Sequence, residues 1–258
     1  MIEAFIFDWA GTMVDFGCCV PTRAMARAFD DAGITVTEHQ IRQDMGKAKR
    51  AHIEAILSMP GVTDKWSDDD VTHLLDGMER HTRSEAATSA VPIDGALELV
   101  TFLSDRNIKI GTTTGYTKPI MDAVVPAAAK NGYAPSVMVC ADDVPEGRPA
   151  PYMIWRALER LNVRSAPACI KVDDAPVGIQ AGKNAGLVTI GLSASGNGVG
   201  LPRAEFEALP QKDRDAFVSA SADQLQKAGA DHVVETVADI PALFDVLEQQ
   251  IAARLGHS

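Results

Sequence analysis

Four short motifs along the chain carry polar side chains of the kinds that bind phosphate groups and divalent cations. Carboxylates at two separate places suit a hard cation such as Mg²⁺. A hydroxyl group and a guanidinium suit phosphate oxygens, because both donate hydrogen bonds and the guanidinium adds a positive charge. A carboxylate between a cation and a phosphorus atom can attack that atom as a nucleophile. In chain order, the motifs are Asp8, Thr114-Gly115, Gly147-Arg148-Pro149 and Asp173-Asp174.

Three of these motifs follow short apolar runs, which are typical of buried strands. The runs alternate with helical stretches, and this alternation indicates βαβ units and a parallel sheet. Ligands bind such sheets at the carboxyl ends of the strands, so we expect the motifs to converge there. The predicted fold is therefore α/β, with a Rossmann-like parallel sheet. The predicted strands lie at 2–7, 108–115, 137–140, 169–172 and 187–190, and the helices at 95–106, 118–130, 152–161 and 176–185.

Each motif taken alone has a plainer interpretation. An aspartate at a strand end often caps a helix or forms a turn, and a threonine before a glycine is ordinary turn chemistry. The order of all four motifs on one βα scaffold favours a shared site instead.

A long helical block interrupts the alternation after the first strand. Between about residues 20 and 92 the sequence has helical periodicity and no strand pattern, with helices predicted at 24–32, 38–43, 47–57 and 68–88. Such a block predicts a second, smaller domain joined by two linkers, near 17–21 and 89–94. The predicted division assigns 1–18 and 93–258 to the sheet domain and 19–92 to the helical domain.

Composition excludes several classes of protein. The chain has 258 residues, of which 46% are hydrophobic and 23% charged, and these values exclude a disordered, collagen-like or coiled-coil chain. The net charge of −11 disfavours nucleic acids and anionic membranes as partners, since both are polyanions. No apolar run approaches the roughly 20 residues that span a bilayer.

The four cysteines predict reduced thiols in a cytoplasmic protein. They lie at positions 18, 19, 140 and 169 and form neither a CxxC pair nor a zinc pattern. No secretory signal is expected, because the apolar start carries Glu3 and lacks a basic segment before it.

Two polar residues stand out in the helical block. If residues 45–56 are helical, Lys49 and His52 share one face with mainly apolar side chains. A lysine on such a face often lays its stem on apolar surface and keeps its ammonium in water. The alternative is an amine that attacks a carbonyl group, for which partial burial would favour the neutral form. For His52, an ordinary internal hydrogen bond is the alternative to a role in chemistry.

The order of the motifs resembles the haloacid dehalogenase superfamily over essentially the whole chain. Residues 6–12 resemble its hhhhDxxGT nucleophile motif, in which Asp8 is the nucleophile. Thr114 matches the hydroxyl motif, Arg148 the basic motif and Asp173-Asp174 the acidic motif. The helical block resembles the C1-type cap of that superfamily. The resemblance thus implies a Rossmann-like core with an inserted helical cap.

Ala10 is an informative departure from most phosphatases of the superfamily. They carry an aspartate there, which protonates an alkoxide leaving group. Asp-Trp-Ala-Gly-Thr at 8–12 is similar instead to the phosphonatase family, as are Met45-Gly46 with Lys49 and His52, and the strings at 113–117, 142–145 and 147–149. This resemblance implies hydrolysis of phosphonoacetaldehyde, in the degradation of phosphonates such as 2-aminoethylphosphonate.

The same resemblance implies a role for each matching residue. Asp8 forms an aspartyl-phosphate, and Lys49 forms an imine through which the carbon leaves as an enamine. An enamine needs no immediate proton, which explains an alanine at position 10. The implied Mg²⁺ ligands are Asp8, the backbone carbonyl of Ala10 and Asp174, with Asp173 as a further candidate. The implied substrate-binding residues are Thr114, Arg148, Gly115, Tyr116, His52, Met45 and Cys18.

Several alternatives stay open at this point. Lys47 is a second candidate for the imine, although Lys49 keeps the spacing to Met45 and His52. Asp44 stands where the family has proline, and Gly178 stands where some members have an acid. A Mg²⁺-dependent phosphomonoesterase or phosphoglucomutase-like enzyme and an inert binding relative are the competing functions. The expected partners are a small phosphonate substrate and a second copy of the chain in a homodimer.

Overall fold

In the computed structural model, six parallel strands form one sheet among the described residues, which are 1–85, 88 and 90–256. The sheet order is β3-β2-β1-β4-β5-β6, which places β1 between β2 and β4. The α/β fold with a Rossmann-like parallel sheet is thereby confirmed. The strands are β1 (Ala4–Phe7), β2 (Lys109–Thr113), β3 (Val137–Val139), β4 (Cys169–Asp173), β5 (Val188–Leu192) and β6 (His232–Val234).

The central strand is apolar throughout because both faces of the sheet are covered. Phe5 and Phe7 pack into one hydrophobic cluster, and Ala4 and Ile6 pack into another on the opposite face. This is the alternation that a strand imposes on successive side chains. From residue 96 onwards the α-helices of the described chain are α5 (Ala96–Ser104), α6 (Lys118–Lys130), α7 (Tyr152–Arg160), α8 (Pro176–Asn184), α9 (Arg203–Ala208), α10 (Gln211–Lys227) and α11 (Phe244–Gly256).

Among the described residues, four α-helices are inserted between β1 and α5, as the pattern predicts. Helix α1 packs on α4, and α3 packs on the same helix. The predicted boundaries differ at several ends: α1 starts earlier than residue 24, and α4 ends before residue 88. Residues 86 and 87 of that predicted helix lie outside the described ones, as does residue 89 at the predicted second linker. The inserted helices are α1 (Cys19–Asp31), α2 (Glu38–Gln43), α3 (Lys49–Leu57) and α4 (Asp68–Ser84).

The helical cap of the fold class is thus present, while the division at residues 18 and 93 stays a prediction. The sequence pattern does not predict the three α-helices and one strand that the described residues form after β5. In the part of the chain that is described, no helix has both the length and the apolar character needed to cross a bilayer.

Candidate active site

The sheet brings the predicted motifs to one edge. Phe7 pairs in register with Thr112 on one side and with Val172 on the other. The segments that follow these three residues therefore reach the same edge of the sheet. A narrow cavity of about 30 Å³ lies there, between the sheet and the inserted helices. The predicted site residues that line it are Asp8, Ala10, Cys18, Met45, Lys49, Thr114, Gly115, Tyr116, Arg148 and Asp174.

The Asp8 carboxylate is held by Arg148. The Nη2 group of Arg148 donates to Oδ1 of Asp8, and it also donates to the carbonyl and hydroxyl oxygens of Thr113, at 2.8 and 3.2 Å. Burial raises the pKa of Asp8, and the nearby guanidinium opposes that shift. The arrangement fixes one carboxylate oxygen and leaves the Asp8 side chain at the cavity wall.

Lys171 is a buried charged residue beside the site that the sequence pattern did not single out. Its side chain is fully buried, and its Nζ lies 2.8 Å from Oδ2 of Asp173. Nη1 of Arg148 lies 3.7 Å from the same oxygen. Lys171 thereby holds the aspartate that neighbours the Arg148 guanidinium. A lysine inside the apolar run 169–172 was the signal, because a charge there requires a buried partner.

Gly178 leaves the space that the Asp173 carboxylate occupies. A Cβ at position 178 would lie 2.0 Å from Cγ of Asp173, well inside contact distance. The absence of an acid at this position therefore follows from packing, because any side chain would displace Asp173.

Replacing Lys171 with Met is expected to lower the free energy of unfolding by about 3 kcal/mol, since it removes a cation beside a buried carboxylate. Lys183→Met is the matched control, because Lys183 pairs with Asp231 at 2.7 Å but is 40% exposed. That change should cost less than about 1 kcal/mol. Urea unfolding followed by circular dichroism measures both. Equal losses in the two variants would show that the Lys171 pair contributes no more than a surface pair.

Asp174 lacks a cationic partner among the described ion pairs, although it is buried. Its oxygens accept hydrogen bonds from the Thr12 hydroxyl at 3.0 Å and the Asn197 backbone N–H at 2.8 Å. Burial, with the neighbouring carboxylates of Asp8 and Asp173, raises the pKa of Asp174 to about 8. A bound cation would remove this penalty, because it would compensate the buried charge.

The carboxylates of Asp8, Asp173 and Asp174 could therefore hold a metal ion. One oxygen from each lies within 4.8 Å of the others. Asp173 is the least suited of the three, because Lys171 already neutralises it. Ala10 also lines the cavity, and its backbone carbonyl would supply a further oxygen. All of these groups are oxygen donors, which are the ligands that hard divalent cations take.

The Lys49 amine is buried at the opposite wall of the cavity. Its Nζ lies 3.8 Å from Sδ of Met45 and 5.4 Å from the centre of the Tyr116 ring. Burial lowers the pKa of Lys49 to about 8, because the ammonium ion loses its hydration. Lys47, by contrast, is 31% exposed and pairs with Asp44 at 2.5 Å. The structure thus places Lys49, and not Lys47, at the cavity.

Two details of this segment differ from the expected helical face. Helix α3 begins at Lys49, so Met45 lies before it and is not on the helix. Gly46 lies between them with a φ of +94°, which is not a helical backbone conformation. A Cβ at this position would also lie 2.9 Å from the Cβ of Ala175. Lys49, His52 and two isoleucines of the predicted face, Ile53 and Ile56, are all buried.

His52 is buried but is not part of the described cavity lining. Its Nε2 lies 2.7 Å from the carbonyl oxygen of Ile41. Burial and the nearby Lys49 lower the pKa of His52 to about 3, so the ring is neutral and Nε2 donates this hydrogen bond. The geometry therefore favours an internal hydrogen bond for His52 over the substrate contact that the resemblance implies.

The remaining cavity residues connect the two walls. The Thr114 hydroxyl accepts a hydrogen bond from the Tyr116 N–H at 3.1 Å. A Cβ at Gly115 would lie 2.8 Å from the Lys47 carbonyl, so glycine permits this close approach of the inserted segment. The Cys18 thiol lies 3.0 Å from the Ala10 carbonyl. Burial raises the pKa of Cys18, so it stays a thiol.

The fold and the site residues indicate a class of protein, and comparison with known proteins gives the same class. Residues 2–186 match the family of haloacid dehalogenase-like hydrolases. The chain belongs to this family. The crystal structure of β-phosphoglucomutase from Clostridium difficile covers 99% of each chain with a TM-score of 0.72 and 18% identity, which shows the shared fold alone.

More similar relatives define the family within this class. A phosphonoacetaldehyde hydrolase from Paraburkholderia xenovorans (strain LB400) is 40% identical over 254 residues, which cover 95% of each chain. Another from Hahella chejuensis is 39% identical and covers 99% of this chain and 89% of its own. A crystal structure of a phosphonoacetaldehyde hydrolase-like protein from Oleispira antarctica has a TM-score of 0.95 and 34% identity, with 98% and 94% of the chains covered. The chain is therefore an enzyme of the phosphonoacetaldehyde hydrolase family.

Proposed function

We propose that this enzyme hydrolyses the phosphorus–carbon bond of phosphonoacetaldehyde and releases acetaldehyde and phosphate. A buried amine and a buried carboxylate in one cavity carry the proposal, since Lys49 and Asp8 both line it. An ester phosphatase needs an acid for the leaving alkoxide, and Ala10 supplies none. The names of the relatives support the same substrate.

The reaction begins with the formation of an imine. The neutral amine of Lys49 attacks the aldehyde carbon, and loss of water gives the imine, whose protonated nitrogen withdraws electrons. Asp8 then attacks phosphorus while the bond from phosphorus to carbon breaks. The electron pair of that bond moves into the imine, which leaves an enamine on Lys49 and a phosphoryl group on Asp8. Because the enamine forms without a proton transfer, the alanine at position 10 does not impede this step.

Two hydrolyses then regenerate the enzyme. The enamine takes a proton on carbon and becomes the imine of acetaldehyde, which water cleaves to acetaldehyde and the free Lys49 amine. Water also cleaves the acyl phosphate on Asp8. Thr114 and Arg148 are proposed to hold the phosphonate oxygens through hydrogen bonds. The other residues proposed to contact the substrate are Met45, Gly115, Tyr116 and Cys18.

We propose Mg²⁺ as the cation, held by the carboxylates of Asp8 and Asp174 and by the Ala10 carbonyl. When bound, this ion would compensate the buried carboxylates and withdraw charge from the phosphonate oxygens. The support is the set of oxygen donors and the raised pKa of Asp174.

The rate of imine formation is expected to rise with pH and to level off above about pH 8. The amine attacks only when neutral, and its pKa is lowered to about 8, so the rate should increase about tenfold per pH unit below that value. Single-turnover borohydride trapping over this pH range measures the step. A plateau that begins only near 10.5, the ordinary lysine pKa, would contradict a buried Lys49 nucleophile.

A coupled assay tests the activity itself. Purified enzyme, phosphonoacetaldehyde and Mg²⁺ are mixed, and acetaldehyde is followed through an NADH-dependent alcohol dehydrogenase. Acetaldehyde and phosphate should appear in equal amounts. Turnover of sugar phosphates without any acetaldehyde would reject the proposal in favour of a phosphomonoesterase or phosphoglucomutase-like activity.

The cellular setting and assembly are proposed from the same resemblance. The enzyme would act in the cytoplasm, in the degradation of phosphonates such as 2-aminoethylphosphonate, and would form a homodimer. Light scattering tests the assembly, and a monomeric mass would contradict it.

A further inference from the structure

Arg42 joins the inserted helices to the sheet domain at a point outside the cavity. It lies on α2, and its guanidinium donates to backbone carbonyls of two other segments: Gly17 at 3.1 Å and Gly200 at 2.6 Å. It also donates to the side-chain oxygen of Asn197 at 3.1 Å. The Asn197 side-chain amide donates back to the Arg42 carbonyl at 3.1 Å. This reciprocal pair fixes Arg42 and Asn197 against each other.

Asn197 contacts Asp174 as well. Its backbone N–H donates to Oδ2 of Asp174 at 2.8 Å, so this one residue binds Arg42 through its side chain and Asp174 through its backbone. On the other side, Arg42 is followed in the chain by the turn at Met45 and by Lys49. Arg42 therefore connects the segment that carries the amine to the loop that holds a proposed cation ligand.

Two glycines shape that loop for this contact. Gly200 has a φ of +70°, and a Cβ there would lie 2.9 Å from Cζ of Arg42. A Cβ at Gly196 would lie 2.1 Å from the Cβ of Asp174. Side chains at these positions would push away Arg42 or Asp174, so the loop is built to contact both.

We propose that Arg42 is a positioning residue that couples closure of the inserted helices to the geometry of the cation site at Asp174. It does not line the cavity, so it acts through Asn197. If the helices move away from the sheet, Asn197 loses its side-chain partner, and its N–H is no longer fixed on Asp174. By reciprocity, a cation that orders Asp174 favours the closed arrangement. This inference rests on the cation site of the proposed function, and it does not depend on the identity of the substrate.

The test compares Arg42→Met with Arg50→Met, which removes an exposed arginine of α3 that pairs with Asp68 and Glu54. Amide hydrogen exchange is measured by mass spectrometry with and without Mg²⁺, in the absence of phosphonoacetaldehyde. In Arg42→Met, exchange should accelerate in segments 40–57 and 193–201 together, and the Mg²⁺ concentration for half-maximal thermal stabilisation should rise about fivefold or more. Arg50→Met should change neither segment 193–201 nor the Mg²⁺ dependence.

Asn197→Ala is the control for a general loss of folding. It keeps the backbone N–H that donates to Asp174 and removes only the side chain that pairs with Arg42. It should reproduce the Mg²⁺ effect, and the double variant should be no worse than Arg42→Met alone. Faster exchange confined to 40–57, with an unchanged Mg²⁺ dependence, would overturn the proposal and leave Arg42 as a local attachment. Because no substrate is present, a failure of the proposed activity would not alter these readings.

Discussion

Lys49→Arg is expected to lower kcat/KM for phosphonoacetaldehyde by at least about a thousandfold, because a guanidinium stays charged and cannot form the imine. The positive charge near the cavity is retained, so the loss would report chemistry and not electrostatics. Steady-state kinetics with the coupled assay measure the effect, and a thermal melt confirms that the variant is folded.

Lys47→Arg is the matched control for this variant. Lys47 is two residues away, partly exposed and paired with Asp44, and its replacement preserves the charge. Its kcat/KM should stay within about threefold of the original enzyme. If Lys47→Arg were the inactive variant and Lys49→Arg the active one, the assignment of the amine would be wrong.

Asp8→Asn is expected to reduce kcat by about 10⁴-fold or more, because the amide that replaces the carboxylate is a very poor nucleophile toward phosphorus. The substitution preserves shape, and the amide oxygen can still accept the hydrogen bond from Arg148. Phosphate release under saturating phosphonoacetaldehyde measures the loss.

Asp142→Asn provides the comparison for that change. Asp142 accepts a hydrogen bond from the Lys118 N–H at 3.1 Å, and it does not line the cavity. Near-normal turnover is expected for this variant. Retained turnover in Asp8→Asn would eliminate the proposed nucleophile, even if the Asp142 variant behaves as expected.

The parallel sheet and the place of its polar motifs were predictable because β1 and its neighbours are buried on both faces. Burial on both faces makes β1 (Ala4–Phe7) apolar throughout, and it makes the run at 169–172 apolar apart from Lys171. The side chains at their carboxyl ends then follow from topology. Asp8, Thr114 and Asp174 line the cavity for this reason.

Other parts of the site depend on contacts that no local pattern reports. Lys171 can be buried because Asp173 pairs with it, and Arg148, which lies near the same carboxylate, comes from a loop distant in the chain. Met45 is off the helix because Gly46 turns the backbone where it meets Ala175. Such pairings depend on the tertiary structure, so spacing along the sequence did not reveal them.

The elements after residue 190 lacked a pattern for a similar reason. Strand β6 has three residues, all only partly buried, which is too short for an alternation to register. Helix α10 buries only Ser221 and Leu225 over its length, so it shows no apolar face. These elements lie at the edge of the sheet, where fewer side chains are buried and the apolar pattern is therefore weaker.

The negative net charge also has a local exception at the site. The chain carries −11, but Arg148, Lys49 and Lys171 are all buried around the sheet edge. A small phosphonate in the cavity would therefore lie near cations, whereas polyanions would meet a surface of their own negative sign.

The most direct test of the imine mechanism is borohydride reduction during turnover, followed by peptide mass mapping. In the original enzyme, reduction should leave an ethyl group on Lys49, because the bond from phosphorus to carbon has already broken. In Asp8→Asn the imine should still form, so the trapped adduct on Lys49 should retain the phosphonate. An adduct on Lys47, or acetaldehyde release with no adduct on any lysine, would contradict the mechanism.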